Sequence, residues 1–153
     1  MVDMVRQDLE AFFDEYEARF NDALKGLPVD MDATTAAFAD TFLEASPKGI
    51  ICGQNDEQFR ESIPKGYDFY RSIGTKQMHI VWRNITPLDD YHALVKIHWQ
   101  GVYDKSDGDE EKIDFDVIYL VQMLDDTPKI FAYITGDEQK VLQDRGLIPT
   151  PAA

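Results

Sequence analysis

The side chains best suited to chemistry in this chain are a handful of carboxylates and histidines, one cysteine and an unusually coherent set of rings. His98 and Asp116 fall on neighbouring predicted strands with the same parity, so an imidazole and a carboxylate can pair. That is the geometry of a general base if it opens on a cavity. Asp40 offers a second carboxylate, which could serve as a base if its helix turned it inward. Cys52 is the sole cysteine. With no histidine beside it in sequence, it reads as a small hydrophobe near the mouth of a pocket and not as a nucleophile. His79 and His92 read as surface residues. The rings are Tyr16, Phe20, Tyr67, Tyr70, Trp82, Trp99, Tyr103, Phe115, Tyr119 and Tyr133. Aromatic walls with a few phenol hydroxyls suit a planar or polycyclic apolar ligand, held by burial and oriented by one or two hydrogen bonds.

Other chemistries find no support. No histidine or cysteine spacing suits zinc, no glycine loop suits a phosphate, and no basic patch interleaves with aromatics. Asp107-Gly108-Asp109 lacks the oxygen-ligand spacing of a calcium loop and reads as a solvated turn. Neither a metal nor a cofactor is expected.

The elements that must position these residues emerge from size and pattern. With 153 residues, 44% of them hydrophobic, the chain can bury a core as one domain, taken as 1–153. A formal net charge of -14 repels phosphate backbones and anionic lipid, which argues against nucleic acid and membrane partners. No apolar run is long enough to span a bilayer, and MVDMVRQDLE has no signal-peptide core, so a soluble, cytoplasmic protein is expected. An unpaired cysteine fits a reducing compartment.

Val5, Leu9, Phe12, Tyr16, Phe20, Ala23 and Leu27 alternate steps of three and four. They predict an amphipathic helix from Asp3, its cap, to about Lys25, ended by Gly26 and Pro28. A second helix is predicted from Asp32 through Phe38 and Phe42 to about Ala45. A short strand covers Gly49–Gly53. A third helix from Asp56 to Gly74 should kink or split at Pro64. From Thr75 the period changes: 76–86, 91–103, 113–124 and 129–134 read as four strands of an antiparallel meander. Thr135-Gly136-Asp137-Glu138 fits a capping box ahead of a short helix that stops at Gly146. The class is α+β: three N-terminal helices on a curved, mainly antiparallel sheet of four to five strands, with a short C-terminal helix, forming a cone.

Strand parity assigns the faces. Ala93, Val95, Ile97, Trp99 and Tyr103 form one row and Leu94, Lys96, His98, Gln100 and Val102 the other, and Ile113, Phe115, Val117, Tyr119, Val121 and Met123 repeat the dry parity. Pairing Trp99 near Val117 puts both odd sets beneath the helices. The even face mixes Leu94, Ile118 and Leu120 with Lys96, His98 and Asp116. An apolar centre with a charged rim predicts a homodimer meeting sheet against sheet, with the His98–Asp116 pair facing the partner.

Three helices, a short strand and a four-stranded meander resemble the superfamily of nuclear transport factor 2. The resemblance is carried by Glu15-Tyr16-Glu17-Ala18, Ala37-Phe38-Ala39-Asp40, Ala93-Leu94-Val95-Lys96-Ile97-His98-Trp99 and Ile130-Phe131-Ala132-Tyr133. It implies the cone. It also implies a range of uses, from ketosteroid isomerases, dehydratases, polyketide cyclases and epoxide hydrolases to binding and scaffold modules. Tyr16 stands where the isomerases keep an oxyanion-stabilising tyrosine, and Tyr119 stands where they keep an aspartic acid. Their base has no counterpart, because Ser46–Gln54 contains no carboxylate. The leading expectation is a small-molecule-binding domain with an apolar aromatic pocket. The alternatives are a cofactor-independent isomerase, dehydratase or cyclase acting on a hydrophobic carbonyl compound through Tyr16, Tyr119 and Asp40, and a protein-protein scaffold, for which the cone would be filled.

Overall fold

The computed structural model describes residues 2–150, with side chains from Arg6 onward. The cap expected of Asp3 and the packing expected of Val5 lie outside the described side chains. The first helix, α1 (Val2–Leu24), carries an apolar stripe centred on Leu9 and Phe13 with Tyr16 and Phe20 beside them; Phe13 takes the buried place expected of Phe12, which is only partly buried. Leu9 and Phe13 have no solvent exposure, and each such burial is worth about 1.5–3 kcal/mol. Gly26, at φ +78°, turns the chain out of the helix and leaves Leu27 exposed.

The second helix is much shorter than its predicted span. It is α2 (Met31–Ala36), capped by Asp30, and the chain then becomes β1 (Phe38–Ser46). Phe38 and Phe42, placed on a helix by their spacing, instead point into the core from a strand. The corner is held by side chains that satisfy the carbonyls at the helix end. The Asn55 amide donates to Thr35 O (2.8 Å) and Phe38 O (3.1 Å), and Lys129 Nζ donates to Ala36 O (2.8 Å). The short strand is present as β2 (Gly49–Gln54), an edge strand antiparallel to β1. Helix α3 (Glu57–Ser72), capped by Asp56, runs through Pro64 as one element, so of the expected kink or split the split does not occur.

The meander forms as predicted, in β3 (Thr75–Pro87), β4 (His92–Asp104), β5 (Glu110–Leu124) and β6 (Thr127–Ile134). With β1 and β2 it makes a six-stranded sheet of order β2-β1-β6-β5-β4-β3, antiparallel except for the parallel β1–β6 pair. The strand count therefore exceeds the expected four to five, because half of the predicted second helix is sheet. The parity reading of β4 and β5 matches the structure: Ala93, Val95, Ile97, Trp99, Val117, Tyr119, Val121 and Met123 are all buried. Register differs by two residues, since Trp99 pairs with Phe115 and Gly101 with Ile113. A two-residue slip keeps every side chain on its face.

Helix α1 lies over the edge strand β3 and closes it. The Asn21 side-chain amide accepts from Met78 N (2.8 Å) and donates to Met78 O (2.7 Å), and Glu17 Oε2 accepts from Ile80 N (2.5 Å). Backbone groups that would otherwise template another strand are thereby satisfied. The last helix, α4 (Glu138–Asp144), is capped by Asp137, whose carboxylate accepts from Lys140 N (3.1 Å). The predicted capping box from Thr135 does not form, which frees Glu138 for another contact. Leu142 packs on Tyr103 and Ile113 and shuts one end of the sheet. Among the described residues, no helix is long and apolar enough to cross a membrane.

Candidate functional site

Between the inner sheet face, α1, α3 and α4 lies a cavity of about 450 Å³. Its walls are mainly aromatic because the inward positions of β4 and β5 meet the apolar stripe of α1 across the cone. Tyr16, Trp99 and Tyr119 form its floor, with Tyr16 6.2 Å from each of the other two ring centroids and Phe13 5.0 Å from Tyr119. Trp99 Nε1 donates to the Tyr119 hydroxyl at 3.2 Å, so the buried indole N–H is satisfied. Tyr103, Phe115, Tyr133, Ile113, Val117 and Met78 continue the wall, and Phe20, Phe38, Tyr70 and Leu142 complete it. A smaller recess of about 170 Å³ shares Tyr16, Phe20, Phe38 and Tyr70 as a partition and holds Tyr67, Arg19 and Phe59 on its far side.

The polar groups gather where β1 meets the start of α4. Glu44 faces the cavity in register with Tyr133, and Glu138 opens α4. The Tyr70 hydroxyl donates to the Glu138 carboxylate at 2.7 and 2.9 Å. Although Glu138 is exposed as a residue, its carboxyl turns toward the protein. Loss of water there raises its pKa, the Tyr70 hydrogen bond partly offsets this, and the charge of Glu44 raises it further. Burial likewise holds the phenols protonated. Tyr16 and Tyr103 are pushed up to about 12, and Tyr70 and Tyr119 stand well above their ordinary range. Tyr133 is raised first by burial and then by the Glu44 charge. All are hydrogen-bond donors at neutral pH. Lys48, at the rim, donates to Gln139 Oε1 at 2.7 Å.

Of the residues singled out by sequence, Tyr16, Phe20, Tyr70, Trp99, Tyr103, Phe115, Tyr119 and Tyr133 converge on the main cavity. Three pocket assignments are corrected. Tyr67 lines only the smaller recess. Cys52 is exposed on β2, opposite Leu43 on the outer face. Trp82 is also outward and 45% exposed. Met78 and Ile80 point inward, but a bulge between Ile80 and Trp82 inserts one residue and reverses the facing of the rest of the strand. The Asp40 assignment fails as well: the residue sits on strand β1, exposed, and does not line the cavity.

The proposed contact residues Leu94, Lys96, His98, Asp116, Ile118 and Leu120 lie on the outer face of β4 and β5. His98 stacks on Trp82 (5.4 Å, 7° between planes) and bridges Asp116 Oδ1 (2.6 Å) and Asp114 Oδ2 (3.1 Å). Its pKa is raised, chiefly by the Asp116 hydrogen bond. The pair faces away from the cavity, so it does not supply a base there. Sequence reasoning missed Glu44 and Glu138. The signal for Glu44 is its alternation with Phe42 and Ser46, which a helical reading of the run hides.

An α+β cone whose sheet and helices enclose an aromatic cavity defines the class. The match to the family described as NTF2-like protein (DUF6841) runs over residues 7–138, and the chain belongs to that family. Among solved structures, Aln2 from a Streptomyces species is similar with a TM-score of 0.64 at 12% identity, over 93% of this chain and 96% of that one. An NTF-2 like protein of unknown function from Shewanella oneidensis gives 0.62 at 18% identity, over 86% and 98%. A ketosteroid isomerase-like protein from Erwinia carotovora atroseptica gives 0.57 at 16%, over 83% and 91%. At these identities the likeness concerns the fold. No curated protein matches the chain.

Proposed function

We propose that the protein binds an apolar, ring-bearing small molecule in the cavity beneath its sheet. The observation that carries this reading is an open space of about 450 Å³ walled by Tyr16, Trp99, Phe115, Tyr119 and Tyr133, with polar groups confined to one side. A pure scaffold predicts a filled cone, whereas this one is open. Trp99 is the internal reporter. Trp82 is the chain's only other tryptophan, so Trp82→Phe leaves a single indole in the wall. Titration of that variant with 1-adamantanol, which neither absorbs nor emits where indole does, should change Trp99 emission saturably. A linear or absent response overturns the reading.

A second reading, proton transfer on a hydrophobic carbonyl compound, is favoured by one feature. Tyr16 and Tyr119 keep their protons and could donate to an enolate oxygen, while Glu138, in place of Asp40, stands ready as a base. Deuterium uptake next to the carbonyl of 2-tetralone, followed by NMR, should be accelerated by the native protein and lost in Glu138→Gln. Uptake equal to the buffer rate removes it.

The partner is proposed to be a second copy of the chain. Leu94, Ile118 and Leu120 lie in cross-strand rows with Leu43, Ala132 and Ile134, forming an apolar band on the outer face, rimmed by Lys96, His98 and Asp116. Sedimentation equilibrium should give twice the protomer mass of 17.5 kDa. A mass of 17.5 kDa throughout the micromolar range would refute it.

A further inference from the structure

We infer that the ligand is an organic cation, a protonated or quaternary amine on an apolar or aromatic body, whose charge sits between Glu44 and Glu138 and whose body lies on the Tyr16–Trp99–Tyr119 floor. This rests on the binding reading above and specifies its ligand class. Two carboxylates on different elements, β1 and α4, line the same aromatic cavity and are close enough for the charge of one to act on the other. Like charges gathered at a low-dielectric wall repel, and neither is held in an ion pair. Among the described residues, neither carboxylate has an ion-pair partner within 4.0 Å. Lys48, the basic residue in the lining, keeps its charge but directs its ammonium to Gln139 Oε1 at 2.7 Å and pairs with neither carboxylate. Tyr70 fills part of the acceptor capacity of Glu138, and the rest remains open, since an ionised carboxylate accepts only.

The rings supply the second half of the site. Tyrosine and tryptophan faces carry negative potential that attracts a cation within about 6 Å of the centroid, and Tyr16, Tyr70, Trp99, Tyr103, Tyr119 and Tyr133 all border the same space. A neutral ligand would use the walls and leave the two carboxylates repelling. An anion would meet them directly. The chain's net charge of -14 adds long-range attraction for cations.

The test is calorimetric titration of the native protein with three compounds that share a benzyl group: benzyltrimethylammonium, its uncharged carbon isostere neopentylbenzene, and the anion 3-phenylpropanoate. The cation should bind about tenfold or more tightly than the isostere, with the anion weakest. Glu44→Gln and Glu138→Gln should each weaken the cation about three- to tenfold and leave the isostere unchanged. If the isostere or the anion binds as tightly as the cation, the cation proposal fails while the pocket stands. If none binds and Trp99 emission is unmoved, the pocket reading fails with it. The ligand series needs no variant, so a poorly folded carboxamide does not block the decision.

Discussion

Gly101→Ala should narrow the cavity from within. Gly101 lies on β4 two residues before Tyr103, on the same face, and the Tyr103 ring folds back over it. A Cβ at position 101 would sit 2.7 Å from Tyr103 Cε2 and 2.8 Å from its hydroxyl oxygen. Carbon atoms prefer about 3.5–4.0 Å, so the ring must move by roughly 1 Å. Tyr103 is 1% exposed and packed on Ile113 and Leu142, which resist the shift, but it also borders the cavity, which accepts it. Overpacking of this kind costs about 1–3 kcal/mol, and the open side argues for the lower half of that range. Against it stands the gain of about 0.5–1 kcal/mol from removing a strand glycine. Urea unfolding should therefore show a net loss of up to about 1.5 kcal/mol for Gly101→Ala, and a gain of about 0.5–1 kcal/mol in a Tyr103→Ala background, where the glycine effect alone remains. Ligand affinity should fall with the single variant. Equal effects in both backgrounds would refute the placement of the ring.

Gly74→Ala should abolish stable folding. At φ +86° the added Cβ would lie 2.0 Å from the Asp104 carbonyl oxygen, a backbone atom tied to this turn by Asp104 N donating to Gly74 O, so circular dichroism should show an unfolded chain at about 37 °C. Because Glu138 has a raised pKa, the folded state holds its proton more tightly than the unfolded one. Its contribution is most favourable below the ordinary value of 4.5 and is lost as pH rises through the folded value. Glu138→Gln should thus gain stability relative to the native chain between about pH 4 and 8, and a constant difference would contradict this. His98 is likewise raised, so its pairing with Asp116 and Asp114 stabilises fully below 6.5 and fades as pH climbs past its folded value. His98→Gln should flatten stability between about pH 6 and 8, and less so in about 1 M salt, which screens a partly exposed pair. An unchanged pH profile would show that the pair does not bear on folding.

Much of this architecture is legible in residue order because the sheet obeys a period of two. From Ala93 to Met123 alternation separates the buried rows from the outer ones, except at Val102, which is even-numbered and buried. What escapes it is non-local. Phe38 and Phe42, four apart, fit a helical face as well as a strand, and the choice is made by Asn55 and Lys129 reaching in from elsewhere. Trp82 is turned outward by one inserted residue in β3, and a bulge leaves no mark in an alternating pattern. Glu138 matched a capping box by spacing, yet Asp137 takes the cap and Glu138 goes to Tyr70, 68 positions away. Aromatic walls can be read from alternation, and so can Glu44 once its run is taken as a strand, whereas the place of Glu138 in the lining cannot.

Every binding and catalytic reading proposed for this protein requires that the space bounded by Tyr16, Phe115, Trp99 and Tyr119 admit a ligand. Crystals soaked in iodobenzene test this most directly, because anomalous scattering locates the iodine without reference to any assumed pose. The expected result is an iodine peak among those four rings. Rings closed over the space, with iodine found only on the outer sheet face, would contradict it.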